Sequence, residues 1–145
     1  MKPIEQTLKY HDLYLFHDLN HIKSTLLPNG YHYEFFQEGD EIEWAKIEMS
    51  AGEVLTIEDG LKTFNKSFGK HYDEMHKRCI FVVNQKNEKI ATSTAYFTNE
   101  KVGKVHWVAV KREEQGKGIS KPLINQTLSL LKNLGYENTL LHFRG

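Results

Sequence analysis

Residues 113–120 read EEQGKGIS and stand between an apolar run, VHWVAV at 105–110, and a stretch with helical periodicity. Two glycines flanking one lysine at a strand-to-helix junction are suited to holding an anion. The first N–H groups of a helix have no intrahelical partner, and the positive end of the helix dipole lies behind them. Gly116 and Gly118 carry no Cβ, so a phosphate can come close to the main chain, and Arg112 and Lys117 add positive charge nearby. Pro122 has no N–H and fits the first turn of a helix, which sets the helix start near Ile119 or Ser120. Ser120 is then available to cap that helix or donate a hydrogen bond. Gln115, Gly116, Lys117, Gly118, Ile119 and Ser120 are left to face a phosphate or pyrophosphate. Two well-known phosphate loops do not fit: the third glycine of a dinucleotide fingerprint would fall on Lys121, and a P-loop needs Ser or Thr where Gly118 stands. On residue types alone, a plain glycine turn entering a helix is the simpler reading.

The rest of the composition narrows the classes of function. A chain of 145 residues makes one domain with a single core, and 39% hydrophobic with 26% charged residues is typical of a soluble globular protein. Lys+Arg and Asp+Glu both number 19, so there is no overall basic field to favour nucleic acid or an anionic membrane. Cys79 is the only cysteine, which excludes an internal disulfide and a cysteine-rich zinc site; at the head of an apolar run it reads as a buried small hydrophobe. His17 and His21 are four apart with no Glu after His17, and His71 and His76 fall off one helical face, so no metal site is expected. No run approaches the roughly 18–20 apolar residues of a membrane span, and MKPIEQTLKYHD lacks the apolar stretch of a signal peptide. A cytoplasmic protein without membrane or nucleic-acid partners is expected.

The first 27 residues, which include LYLFHDL, resist assignment, and LLPNG at 26–30 marks a turn. YHYEFF at 31–36 reads as a strand. Asp40 and Glu43 have capping-box spacing ahead of a helix that Gly52 would stop, and Leu61, Phe64 and Phe68 share one face of a second helix over 57–68. KHYDEMHKR reads as further helix or loop. CIFVV, KIATSTAYF and KVHWVAV, joined by short polar turns, predict an antiparallel meander. Leu123, Ile124, Leu128, Leu131 and Leu134 give a helix over 123–134 with Gly135 after it, and NTLLHF then returns as a strand parallel to its predecessor. The fold class is α+β, a mixed and mostly antiparallel sheet flanked by helices. It forms one domain over 1–145, with residues 1–30 as an N-terminal extension.

The stretch GKVHWVAVKREEQGKGISKPLINQTLSLLKNLGY, residues 103–136, resembles the acetyl-coenzyme A binding motif of the GCN5-related N-acetyltransferase (GNAT) superfamily. The resemblance extends more loosely from Gln37 to Phe143, where the order of elements matches that fold. The family pattern is Arg/Gln-x-x-Gly-x-Gly/Ala after a strand reading like VAV. Gly116 and Gly118 match; Glu113 stands at the first position, and Gln115 occupies a place often held by Arg or Gln in relatives. Main-chain N–H groups are expected to do most of the pyrophosphate binding, so the departure at Glu113 matters little. The resemblance implies a GNAT-like fold and acetyl-coenzyme A as cosubstrate, with direct transfer to an amine of a small molecule or peptide. It also implies a bulge that splays the VAV strand from the next one, with the pantetheine arm in the gap. The main chain of Val108, Ala109 and Val110 would bond that arm and polarise the thioester, with Arg112 near the 3′-phosphate.

Direct transfer needs a group to take the proton of the acceptor amine. The position that matches the family's usual glutamate base is Lys104, which cannot serve, and His106 is the nearest alternative, with an ordinary pKa of about 6.5. Strand alternation puts His106, Val108 and Val110 on one face and Val105, Trp107 and Ala109 on the other. A hydrogen-bonded structural histidine is the competing assignment. Glu48, on the first helix, is the second catalytic candidate, and Tyr96, Phe97 and Trp107 are candidates to line an acceptor pocket. The chain stops at HFRG, where the resemblance implies a further helix and two strands that carry a proton donor for the leaving thiolate. It is therefore expected to be C-terminally truncated, with impaired turnover and an exposed NTLLHF edge that a second copy would cover as a homodimer. A non-catalytic coenzyme A-binding or interaction domain is the alternative function, and a nucleotide-phosphate binder of another fold is a third.

Overall fold

CIFVV is apolar at every position and buried at every position, so this strand must be covered on both faces. The structure, a computed structural model that describes residues 12–144, does this with helices on the two sides of one sheet. The strands are β1 (Asp12–Asp18), β2 (His32–Phe35), β3 (Cys79–Val83), β4 (Lys89–Phe97), β5 (Val102–Val110) and β6 (Asn138–Arg144). The helices are α1 (Glu41–Ser50), α2 (Ile57–Phe68), the single turn α3 (Met75–Arg78) and α4 (Ser120–Asn133). The sheet order is β1-β6-β5-β4-β3-β2. All neighbours are antiparallel except β5 and β6, which run parallel through the α4 crossover. The predicted α+β class, helix α2, the meander and the parallel return are all present.

One face of the sheet presents Cys79, Phe81, Val83 and Ala109 to Trp44, Ala45 and Ile47 of α1 and Phe64 and Phe68 of α2. The opposite face presents Ile80, Val82, Ala91 and Val110 to Ile119 and Leu123, and Ala95 and Val105 to Leu128 and Leu131 of α4. No helix among the described residues is long and apolar enough to cross a membrane.

Two expectations need correction. The NTLLHF edge is not exposed: β1 pairs with β6 from Asp12↔Arg144 to Asp18↔Asn138. The row of N–H and C=O groups along β6 finds its partners in a strand of the same chain, so this edge offers no reason for a second copy to bind. Residues 12–18, which resist assignment in the sequence and fall within the expected N-terminal extension, are part of the sheet. Asp40 also fails as a helix cap. Its backbone is already helical (φ −71°, ψ −5°), which turns its side chain away from the first-turn amides. Its carboxylate instead accepts from the Gln37 N–H at 2.8 Å and lies 3.8 Å from Lys89 Nζ. α2 has the cap that α1 lacks, because extended Thr56 accepts from the Asp59 N–H through Oγ1 at 3.0 Å.

Helices α1 and α2 meet closely at Gly60, where an added Cβ would lie 2.7 Å from Ala45 Cβ and 3.0 Å from Ala45 Cα. Alanine is the better helix former by about 1 kcal/mol, so propensity alone predicts that Gly60→Ala stabilises the protein. Neither Ala45 atom can rotate aside, and overpacking of this kind costs about 1–3 kcal/mol. Urea unfolding of Gly60→Ala should therefore show a net loss of about 1 kcal/mol; a gain would mean that the two helices do not meet there.

Candidate functional site

β5 is an interior strand, yet His106, Trp107 and Val108 are only half-buried. The cause lies in its register. Thr92 pairs with Ala109 and Thr94 with His106, so Trp107 and Val108 together stand opposite the single residue Ser93. This is a β-bulge, and Trp107 takes φ +52° to make it. A bulky residue with positive φ is costly, about 1–2 kcal/mol. Its indole is held by a hydrogen bond from Nε1 to Ser67 Oγ at 3.2 Å and by the Trp44 ring, with centroids 5.5 Å apart. On the other side, pairing of β5 with β6 covers only Val102–Val105 against Asn138–Leu141, although both strands continue. The sheet is open between them from His106 onward, as the resemblance implies.

The bulge also overturns the predicted alternation. Trp107 joins Ala109 on the α1/α2 face, and His106 packs on Phe68 of that same face, whereas Val108 joins Val105 and Val110 under α4. Simple two-residue periodicity fails because the extra residue resets which way each following side chain points.

The loop from β5 to α4 is tied down at its start. The Arg112 N–H donates to Ser50 Oγ at 2.9 Å, and Gln115 Nε2 donates to the Val110 carbonyl at 3.0 Å. Beyond this point the main chain turns outward. Gly116 and Gly118 have φ +78° and +83°, and a Cβ on either would meet nothing within 4 Å. Among the described residues, the N–H groups of Gly116, Lys117, Gly118, Ile119 and Ser120 donate to no protein acceptor. Helix α4 has no side-chain cap: Ile119 is its N-cap, and Ser120 lies inside the helix. The Ile119 side chain is buried in the α4 core, so only its main chain can face a ligand. Lys117 is exposed, and its Nζ lies 3.2 Å from Glu114 Oε2.

The two catalytic candidates stand in different surroundings. His106 is ringed by Phe68, Tyr96 and Trp107, with ring centroids 5.6, 5.8 and 5.8 Å away. Tyr96 also meets His71 and Phe97, so these rings form one partly exposed aromatic patch. Glu48 is fully buried one helical turn on from Trp44, and neither carboxyl oxygen has a hydrogen-bond partner. Burial, aided by Glu53, pushes its carboxyl up to about 9, so at neutral pH it is an uncharged acid. Cys79 is buried and its thiol is pushed up to about 11, mainly by burial, which makes it a poor nucleophile. Among the described residues no group of three or more His, Cys, Asp or Glu side chains is placed to hold a metal ion. His71 Nδ1 lies 3.6 Å from Glu74 Oε2, and the side chain of His17 lies outside the described residues.

Sequence reasoning missed Glu114, which is buried within the exposed loop and accepts from the Tyr31 hydroxyl at 2.6 Å. No local pattern could show a contact between residues 83 positions apart.

Residues 29–144 match the model of the acetyltransferase (GNAT) family. Comparison with curated protein sequences returned no match. Among solved structures, a GCN5-related N-acetyltransferase from Sphaerobacter thermophilus superposes with a TM-score of 0.75 at 19% identity, over 97% of this chain and 45% of that one. A tandem GNAT protein from the clavulanic acid biosynthesis pathway gives a TM-score of 0.63 at 13% identity, over 92% and 44% of the two chains. A GNAT family acetyltransferase from Brucella melitensis, solved in complex with acetyl-CoA, gives 0.58 at 15% identity, over 77% and 74%. At these identities the likeness is one of fold. The chain spans less than half the length of the first two.

The Glu48 carboxyl makes the stability of the fold depend on pH. Its ordinary value is 4.5, so between pH 4.5 and about 9 the folded protein keeps a proton that the unfolded chain has released. Stability should then fall as pH rises through that window, with a slope of up to about 1.4 kcal/mol per pH unit. Glu48→Gln removes the titration and keeps the shape. Urea unfolding should find the variant increasingly more stable than the parent between pH 5 and pH 8, and a difference independent of pH would show that Glu48 is ionised in the fold.

Proposed function

Because the chain belongs to the GNAT acetyltransferase family, we propose that it moves an acetyl group from acetyl-coenzyme A directly to an amine of a small molecule or peptide. The observation that carries this reading is the row of N–H groups from Gly116 to Ser120 that no acceptor among the described residues takes, at the head of α4 and at the end of a strand that has left its neighbour. Such amides suit a diphosphate, because each finds an acceptor and the helix dipole favours the negative charge. Gln115, Gly116, Lys117, Gly118, Ile119 and Ser120 would hold it, mainly through the main chain. The gap between β5 and β6 suits the pantetheine arm, whose amides would pair with main-chain groups of Val108, Ala109 and Val110 that β6 does not reach. The complex of the Brucella protein with acetyl-CoA supports this choice of cosubstrate.

In direct transfer the acceptor nitrogen attacks the thioester carbon, the C–S bond breaks, coenzyme A leaves as the thiolate, and the nitrogen sheds a proton. A main-chain N–H of the splayed strand, aimed at the thioester oxygen, would stabilise the charge that develops there. His106 is our choice for the proton acceptor. It lies beside the bulge within the aromatic patch, and an imidazole nitrogen can take up the proton that the acceptor sheds. Glu48 already holds its proton at neutral pH, so it can donate but not accept there. Tyr96, Phe97 and Trp107 supply an aromatic wall for the acceptor.

Two measurements test this reading. Gly118→Val places a branched side chain at φ +83°, and should raise the calorimetric Kd for coenzyme A by roughly tenfold or more; unchanged affinity would remove the loop from the site. His106→Gln should flatten the acidic limb of the pH–rate profile, followed as free thiol released from acetyl-coenzyme A with a panel of amines. An unchanged profile would exclude His106 as the base, and coenzyme A binding with no thiol released from acetyl-coenzyme A in the presence of any amine would favour a non-catalytic binding domain.

A further inference from the structure

Glu114 is 8% exposed, although its neighbours Glu113 and Gln115 face solvent. An acid in a surface loop is buried only where partners replace its water, and here the partners are specific. The Tyr31 hydroxyl donates to Oε2 at 2.6 Å, within the range of a charge-assisted O–H···O⁻ bond, and Lys117 Nζ lies 3.2 Å from the same oxygen. Burial pushes the Glu114 carboxyl up, but Tyr31 and Lys117 together outweigh it and hold the group below its ordinary value. It is therefore a carboxylate at neutral pH.

Tyr31 is a firm anchor because its ring packs against the core cluster of Ile80, Val82, Val110 and Ile119. Between Gln115 and the buried Ile119, the Lys117–Glu114 ion pair is the loop's one side-chain tie among the described residues. Nothing packs where side chains would be at Gly116 and Gly118, and both residues have wide conformational freedom. Behind the loop is space rather than packed protein: a cavity of about 470 Å³ lined in part by Tyr31, Lys111, Glu114, Lys117 and the β3–β4 turn. Glu114 closes the single 3₁₀ turn Arg112–Glu114, with its N–H donating to the Lys111 carbonyl at 2.9 Å, so fixing its carboxylate fixes the chain two residues before Gly116.

We propose that Tyr31 and Glu114 are positioning residues of the phosphate loop: the hydroxyl–carboxylate bond between them sets the amides of residues 116–119 for a diphosphate and holds the Lys117 ammonium beside them. This rests on the coenzyme A reading above and adds the device that keeps that site in shape. Neither side chain needs to touch the ligand.

The test compares coenzyme A with pantetheine, which has the same thiol arm and no diphosphate. Tyr31→Phe removes one oxygen and keeps the packed ring. Calorimetry should give a Kd for coenzyme A raised roughly 5- to 30-fold, while the pantetheine Kd, from ligand-detected NMR, stays within about twofold. Glu114→Gln should act in the same direction, and the double variant should be no worse than the weaker-binding single variant, since both remove one bond. Circular dichroism confirms that each variant is folded. Coenzyme A affinities equal to the parent's in both variants would overturn the proposal, and so would an equal loss for coenzyme A and pantetheine. A parent protein that binds no coenzyme A would fail the functional reading itself, and the latch with it.

Discussion

A strand that parts from its neighbour inside a sheet must place its N–H and C=O groups somewhere else. β5 parts from β6 after Val105, and the chain that follows it, from Gly116 to Ser120, presents amides that no acceptor among the described residues takes. A short segment tied down at Lys111, Arg112, Glu114 and Gln115 separates the two sets, so the parted strand leads within a few residues to a cluster of N–H groups at a helix head. A long ligand with amide groups at one end and a diphosphate at the other matches this order of donors and acceptors. The remaining architecture serves to keep that stretch open and in place.

The bulge beside this opening depends on Trp107. Its backbone conformation is unfavourable by itself, and it persists because its indole is wedged against Trp44 and bonded to Ser67. α1 therefore does more than cover the sheet. Trp44 braces the bulge, Ser50 accepts from Arg112 where the loop begins, and Glu48 lies buried between them in sequence. The β6 side is held in a different way. β6 keeps four residues of pairing with β5 and pairs with β1 along its whole length, so it is not left alone where β5 departs. Unlike the loop amides, the far edge of β6 is satisfied within the chain.

What could be read from the sequence was whatever is encoded locally. The α2 stripe of Leu61, Phe64 and Phe68, the three meander strands, the α4 periodicity and the glycine loop all repeat or punctuate within a few residues, and each is found where expected. The losses have physical causes. LYLFHDL had no visible partner because its partner, β6, lies more than a hundred residues away. His106 was assigned to the face of Val108 and Val110, and Val105 to that of Trp107 and Ala109, because a bulge is one inserted residue with no sequence signature when its left-handed position holds a tryptophan rather than a glycine. Asp40 had the right spacing for a cap but the wrong backbone. Tyr31 and Glu114 looked like an ordinary aromatic and an ordinary surface acid, and only the tertiary fold brings them to 2.6 Å. The acceptor is the least legible part, since Tyr96, Phe97 and Trp107, the aromatics proposed to face it, equally suit a core.

The most direct test of the central claim is to follow backbone amides by ¹⁵N–¹H NMR as coenzyme A is added to the labelled protein. The account predicts that Gly116 to Ser120 shift most and slow in hydrogen exchange, with Val108 to Val110 following. Shifts confined to other parts of the chain, with the loop amides unmoved, would contradict it.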